Sequence, residues 1–220
     1  MKFERVFDYS KLLVSGIGIT LFFTFASLFF GFLLSIPLAL IKTSKSRILR
    51  AIGYIYTDFF RGVPALVQLY LFYFAIPVML NTTLSVTQAA IISLSLNTAA
   101  YLSEAIRGGI LAVPKGQQEA AKALSVPYFK MMFHIILPQA FKSIMPSIVN
   151  EAINLLKGTS LVSIIGAVDL MRVGRQIMAD TYLTAEPLIV VAVIYYIMVK
   201  ILSVVSNKLE KYIRRSDVRV

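Results

Sequence analysis

Two long stretches of this chain carry no charged residue: residues 12–41 and residues 62–103. A helix needs about 20 apolar residues to cross a hydrocarbon layer roughly 30 Å thick. The first stretch is therefore one span with length to spare, and the second must hold two. Extending this along the chain predicts about five membrane-spanning helices. They fall within residues 12–41, then over 64–79, 84–106, 143–156 with a further apolar piece at 160–168, and 187–205. Asn81-Thr82-Thr83 is the polar break between the second and third. The expected fold class is an all-α integral membrane protein, forming one domain over residues 1–220.

Charge then orients the spans. Lys and Arg number 22 against 11 Asp and Glu, a net charge of +11. Such an excess can signal nucleic-acid binding, but here the basic residues lie between apolar spans. Lys42, Lys45, Arg47, Arg50 and Arg61 separate the first two spans, against Asp58 alone. Arg107, Lys115, Lys122, Lys130 and Lys142 separate the third and fourth, against Glu119 alone. Lys208, Lys211, Arg214, Arg215 and Arg219 form the tail. Cytoplasmic loops carry the Lys/Arg excess, which puts the N-terminus outside and the C-terminus in the cytoplasm. The segment after span four balances Arg172 and Arg175 against Asp169, Asp180 and Glu186, as an outward-facing segment would.

Residues 107–142 are too long for a turn and too rich in Ala, Leu, Met and Phe for a disordered linker. They read as two short helices. The first carries 117–124 after Pro114-Lys115-Gly116, with Glu119 in the first turn, where the helix dipole favours an anion. Ser125-Val126-Pro127 breaks it. Pro127 suits the first position of the second helix, which covers 128–136 and ends before Leu137-Pro138, because proline disfavours helix in the residue preceding it.

Glu119, Ala120 and Ala121, followed by Ser125, Ile135, Leu137 and Pro138, resemble the EAA loop of ATP-binding-cassette (ABC) importer permeases. The spacing matches throughout, with Ser125 where that family usually has Gly. Arg61-Gly62-Val63-Pro64 with Gln68, Ala100-Tyr101 with Glu104 and Arg107-Gly108, Leu137-Pro138-Gln139-Ala140 and Lys157-Gly158-Thr159-Ser160-Leu161 resemble segments of the polar amino-acid permeases of that family, including histidine, glutamine and cystine types. The resemblance implies the type I importer permease fold, with residues 107–142 as a cytoplasmic loop that couples to an ATPase. It also implies two ABC ATPase subunits that bind ATP and Mg, a second permease subunit (a like or an unlike copy), an extracytoplasmic solute-binding protein and a bacterial cytoplasmic membrane. ATP binding would close the ATPases, move the loops and switch the pathway from inward-open to outward-open. The chain itself lacks a G-x-x-x-x-G-K-[ST] phosphate loop and so carries no nucleotide site of that kind. The expected role is a transporter subunit, not an enzyme, moving a polar amino acid with cystine as the first candidate. A different small solute, or an ATP-independent channel or scaffold, is the alternative.

Ionisable and amide groups inside spans are functional candidates by default. Asn97, Tyr101 and Glu104 recur at i, i+4 and i+7 on span three, and Asn150, Asn154 and Lys157 repeat that spacing on span four beside Glu151. A substrate site is expected from Lys157, Glu151, Asn97, Asn154 and Tyr101, with Gln68 nearby. Lys157 would accept the α-carboxylate, and Glu151 or the amides would take the ammonium or a polar side chain. Equally, Glu151 and Lys157 pair with other helices or with the second permease subunit. Glu104 is expected to pair with Arg107. A single histidine, His134, and no cysteine leave little for a membrane hydrolase or a metal site.

Overall fold

The single turn α1 (Glu4–Phe7) leads into α2 (Ser10–Thr43), 34 residues long and the first span. Its amphipathicity is inverted relative to a soluble helix. Thr20, Thr24, Ser27, Gly31 and Ser35 are buried, whereas Phe22, Phe25, Phe29 and Phe30 are exposed. Lipid tails are as apolar as leucine, so little is gained by burying Phe. Small residues let helix backbones approach and supply the packing instead. Gly31 shows how close the approach is: a Cβ there would lie 2.7 Å from Thr98 Cγ2 on a neighbouring helix.

The computed structural model describes residues 2–214, all helix and connecting segments without a strand among them. Arg215 and Arg219 of the basic tail lie outside the described residues. After α2 come α3 (Arg47–Gly62) and α4 (Ala65–Met79), which meet at a bend of 104°. Next are α5 (Val86–Ala112), the short α6 (Lys115–Ala123), α7 (Tyr128–Ile165), α8 (Leu170–Thr181) and α9 (Ala185–Arg214). Helices α2, α5, α7 and α9 are long and apolar enough to cross a membrane, and the bent α3–α4 pair makes a fifth candidate. The expected spans thus correspond to α2, α4, α5, α7 and α9. Helix α5 is the central element, packed along α2 on one side and antiparallel to α7 on another, where Gly109 meets Ile144 and the Ala140 carbonyl.

Several expectations need correction. Residues 47–62 form the amphipathic helix α3, where charge counting saw only a basic loop. Lys42, counted among the loop charges, is buried. Its ammonium lies 2.8 Å from both Ser103 Oγ and Glu104 Oε1. Glu104 also pairs with Arg107 at 2.9 Å, as expected. The second loop helix does not end before Leu137-Pro138. It runs on without interruption as α7, so the fourth membrane helix starts at Tyr128. Pro138 clashes with the carbonyl four residues back in a regular helix. The backbone widens into a π-helical turn, Met132–Ile136, just before it. The same arrangement recurs in α4, where the π-turn Leu71–Ala75 precedes Ile76-Pro77. Asp169, taken as an outer-loop charge, is fully buried and caps α8, accepting hydrogen bonds from the Met171 and Arg172 amides.

Candidate functional site

The break between α3 and α4 is held by the amides of two expected site residues. Pro64 has no N–H, so the Phe60 carbonyl four residues earlier loses its helical donor. Gln68 Nε2 donates to that carbonyl (2.8 Å) and to the Val63 carbonyl (2.7 Å). Asn97 Nδ2 donates to the Phe60 carbonyl (3.0 Å) and to Gln68 Oε1 (3.0 Å). Both amide hydrogens of each side chain are thereby used, and Gln68 is 1% exposed. Tyr101, one turn from Asn97, lies under the Arg61 guanidinium at 5.3 Å from its ring centre.

Helix α7 carries the other half of the expected set. Its buried face is Ala140, Ile144, Ala152, Leu155 and Leu156. Its exposed face includes Ser143, Ser147, Asn150, Asn154 and Lys157. Their spacing of 4, 3, 4 and 3 residues is that of a coiled-coil seam. Glu151 is half-buried beside this stripe, next to Asn154 and to Thr98 of α5. Lys157 forms no ion pair among the described residues. It borders an open cleft of about 410 Å³ with Ser160, Met171, Leu188, Val191, Ala192 and Tyr195. Among the described residues no carboxylate lines that cleft. The nearby acid, Asp169, faces inward and accepts from the Tyr195 hydroxyl at 3.3 Å. Burial pushes its carboxyl above the usual range, while the two capping amides and Tyr195 act in the opposite direction.

The expected residues thus form two groups: Gln68, Asn97 and Tyr101 around the helix break, and Glu151, Asn154 and Lys157 on α7. Ser143 and Ser147, which extend the α7 stripe, and the cleft residues on α8 and α9 were missed. The serines continue the same 3–4 spacing and were readable in principle. The cleft lining carries no sequence signal of its own.

The loop residues occupy a separate part of the molecule. Ala121 is buried in one apolar cluster with Ile110, Met131 and Ile136, which joins α6 to the C-terminal end of α5 and the N-terminal part of α7. Glu119 and Ala120 on the same helix are exposed. Glu119 lies in the second turn of α6, not the first, because the helix already starts at Lys115. Ser125 adopts φ 53°, the left-handed conformation that glycine takes without strain. Its amide donates to the Lys122 carbonyl and the Val126 amide to the Ala121 carbonyl, both at 2.9 Å. These bonds form the double closure of a Schellman cap. Pro127 is the N-cap of α7 and not its first helical residue. Tyr128, Phe129 and Phe133 follow, all strongly exposed. Ile135 and Leu137 are half-buried and Pro138 is exposed.

The chain is similar to known membrane transport proteins. The model of the family described as "Binding-protein-dependent transport system inner membrane component" matches residues 31–215. The chain is 44% identical over 212 residues to the putative glutamine transport system permease protein of Rickettsia bellii, covering 95% of this chain and 97% of that one. It is 43% identical over 217 residues to the arginine transport system permease protein of Bacillus subtilis, covering 99% of each. To the L-cystine transport system permease protein of the same organism it is 40% identical over 212 residues, covering 94% and 89%. A crystal structure of an amino acid ABC transporter with histidines superposes with a TM-score of 0.91 at 35% identity, over 96% of this chain and 99% of that one. The inward-facing MetNI methionine ABC transporter shares the fold, with a TM-score of 0.80 at 23% identity.

Proposed function

Since the chain belongs to the family of binding-protein-dependent transport system inner membrane components, the membrane-spanning subunits of ABC importers, we propose that it passes a polar amino acid to the cytoplasm along the exposed polar face of α7. The family assigns ATP hydrolysis to a separate ATPase subunit, so this chain supplies the pathway and not the energy. The observation that carries the reading is the stripe Ser143, Ser147, Asn150, Asn154 and Lys157. Amides and an ammonium on a membrane helix are too costly to leave against lipid. A second permease subunit across an aqueous pathway satisfies them.

In this reading Lys157 receives the substrate α-carboxylate, and Asn154 and Glu151 receive the ammonium or a polar side chain. Tyr101 borders the pathway. Gln68 and Asn97 act by holding the α3–α4 break that shapes it. Relatives are named for glutamine, arginine and cystine. Among the described residues no carboxylate lines the Lys157 cleft, and with Gly158 beside that lysine this favours a substrate whose side chain carries no net positive charge, such as cystine or glutamine. The N-terminus faces outward and the C-terminus the cytoplasm of a bacterial cell. The exposed Glu119, Ala120, Tyr128, Phe129 and Phe133 then face the ATPase, and a solute-binding protein delivers the amino acid from outside.

The test is substrate-stimulated ATPase activity of the reconstituted importer carrying Lys157→Ala or Lys157→Arg. The reading expects Ala to abolish stimulation and Arg to retain part of it. An unchanged substrate response in Lys157→Ala would remove Lys157 from the site.

A further inference from the structure

Helix α3 has three faces, not two. At about 100° per residue, Gly53, Thr57 and Phe60 share one face, and all three are buried against the rest of the chain. Ile48, Ile52, Ile55 and Phe59 share a second, and all four are exposed, Ile48 by 74% and Ile55 by 69%. Arg47, Asp58 and Arg61 occupy a third, also exposed. The faces are separated by roughly a third of a turn each. A helix inside a bilayer has no use for the charged face, and a helix in water has no use for the isoleucine face. A helix lying along the membrane surface, with its flank against the protein, uses all three.

Two further observations fix it relative to α4 and α5. The bend of 104° to α4 turns α3 nearly perpendicular to the helix that continues the span. Its contacts with α5 also fall within a narrow band. Tyr56 hydroxyl donates to the Leu96 carbonyl at 2.8 Å, the Phe60 carbonyl accepts from Asn97, and Arg61 covers Tyr101. Gly53 packs on the Lys42 side chain that reaches Glu104. Charge supplies the partner. Lys45 and Arg47 are exposed at the start of α3. Arg50 anchors itself by one bond to the Ser44 carbonyl at 3.0 Å. No acidic residue lies between Lys42 and Tyr56.

We propose that α3 lies in the plane of the inner membrane surface and holds an anionic phospholipid, with Lys45, Arg47 and Arg50 on the headgroup phosphate and Ile48, Ile52, Ile55 and Phe59 among the acyl chains. The proposal rests on the membrane placement of the chain and on Lys45–Arg50 facing the cytoplasmic leaflet, but not on the identity of the transported solute. Through the Phe60 carbonyl the lipid-bound helix is tied directly to the Gln68–Asn97 pair.

The test has two readouts that need neither substrate nor ATP. The chain has no tryptophan, so Ile55→Trp places a single indole on the apolar face. In vesicles of phosphatidylcholine with a third phosphatidylglycerol, brominated acyl chains should quench it strongly. An unquenched indole, reproduced with Ile52→Trp, means that protein covers the face and overturns the proposal. In the second readout, phosphatidylglycerol retained by the purified full-length chain is compared with that retained by Lys45→Gln/Arg47→Gln/Arg50→Gln. Each basic residue near an anionic surface contributes about fivefold in partition, so the triple variant should lose most of the enrichment while Ile55→Trp stays quenched in that background. Undiminished enrichment in the triple variant also overturns the proposal.

Discussion

The Lys42 ammonium is fully buried and lies 2.8 Å from the Glu104 carboxylate, whose other oxygen binds Arg107. The network joins the end of α2 to α5, and its two ends are not equivalent. Glu104→Gln leaves a buried cation without a counter-charge, a loss of about 3–5 kcal/mol. Lys42→Met leaves Glu104 still paired with Arg107 and closer to solvent. Thermal unfolding in detergent should therefore show a large drop in Tm for Glu104→Gln and a clearly smaller one for Lys42→Met. Equal drops would contradict this account of the network.

Ser125 holds a left-handed backbone at φ 53°, which costs a residue with a Cβ roughly 1–2 kcal/mol. Ser125→Gly removes that strain, less the extra chain entropy of glycine, and should stabilise the loop by up to about 1 kcal/mol. Ser125→Val should destabilise it, because a β-branched side chain tolerates this conformation worst. Limited proteolysis of the 107–142 segment would rank the three forms.

Gln68 and Asn97 share the Phe60 carbonyl and one another. Truncating Gln68 to Ala uncovers the Val63 carbonyl and one Asn97 N–H, and truncating Asn97 to Ala leaves Gln68 Oε1 without its donor, at about 1–3 kcal/mol per orphaned group, while the Phe60 carbonyl keeps one donor in either single variant. Because the second truncation acts on a network already broken, the double variant should lose clearly less than the sum. A double-mutant cycle on stability measures this, and strict additivity would mean that the two amides act independently.

Gly31 allows α2 and α5 to touch, with Thr98 Cγ2 within 2.7 Å of where a Cβ would stand. Gly31→Val should force the helices apart at a cost of about 1–3 kcal/mol and reduce the yield of folded protein. Gly18→Val is the control, since nothing lies within 4 Å of a Cβ there. Size-exclusion profiles of the two variants separate them directly.

Hydropathy and charge made the spans legible, because a bilayer demands long apolar helices whatever their partners. The same logic hid α3: its isoleucines recur at helical spacing, but a search for spans passes over sixteen residues that mix Ile with Arg. Lys42 was misplaced because sequence shows the charge and not Glu104 waiting one helix away. Leu137-Pro138 looked like an end because the π-turn that accommodates Pro138 has no sequence signature. The α7 stripe was partly visible in Asn150, Asn154 and Lys157. The cleft at Lys157 was not, since Met171, Leu188, Val191 and Ala192 are indistinguishable from ordinary apolar residues until α8 and α9 are folded against α7. Nothing in the sequence marks Tyr195 as the hydroxyl that donates to Asp169.

The most direct measurement is ATPase activity in proteoliposomes containing this permease with its ATPase and solute-binding protein, across a panel that includes cystine, glutamine and arginine. The account predicts stimulation by an amino acid whose side chain carries no net positive charge, and weaker or no stimulation by arginine. An assembled complex that ignores every amino acid would contradict the substrate reading, and failure to assemble with any ATPase would contradict the role given to Glu119 and its loop.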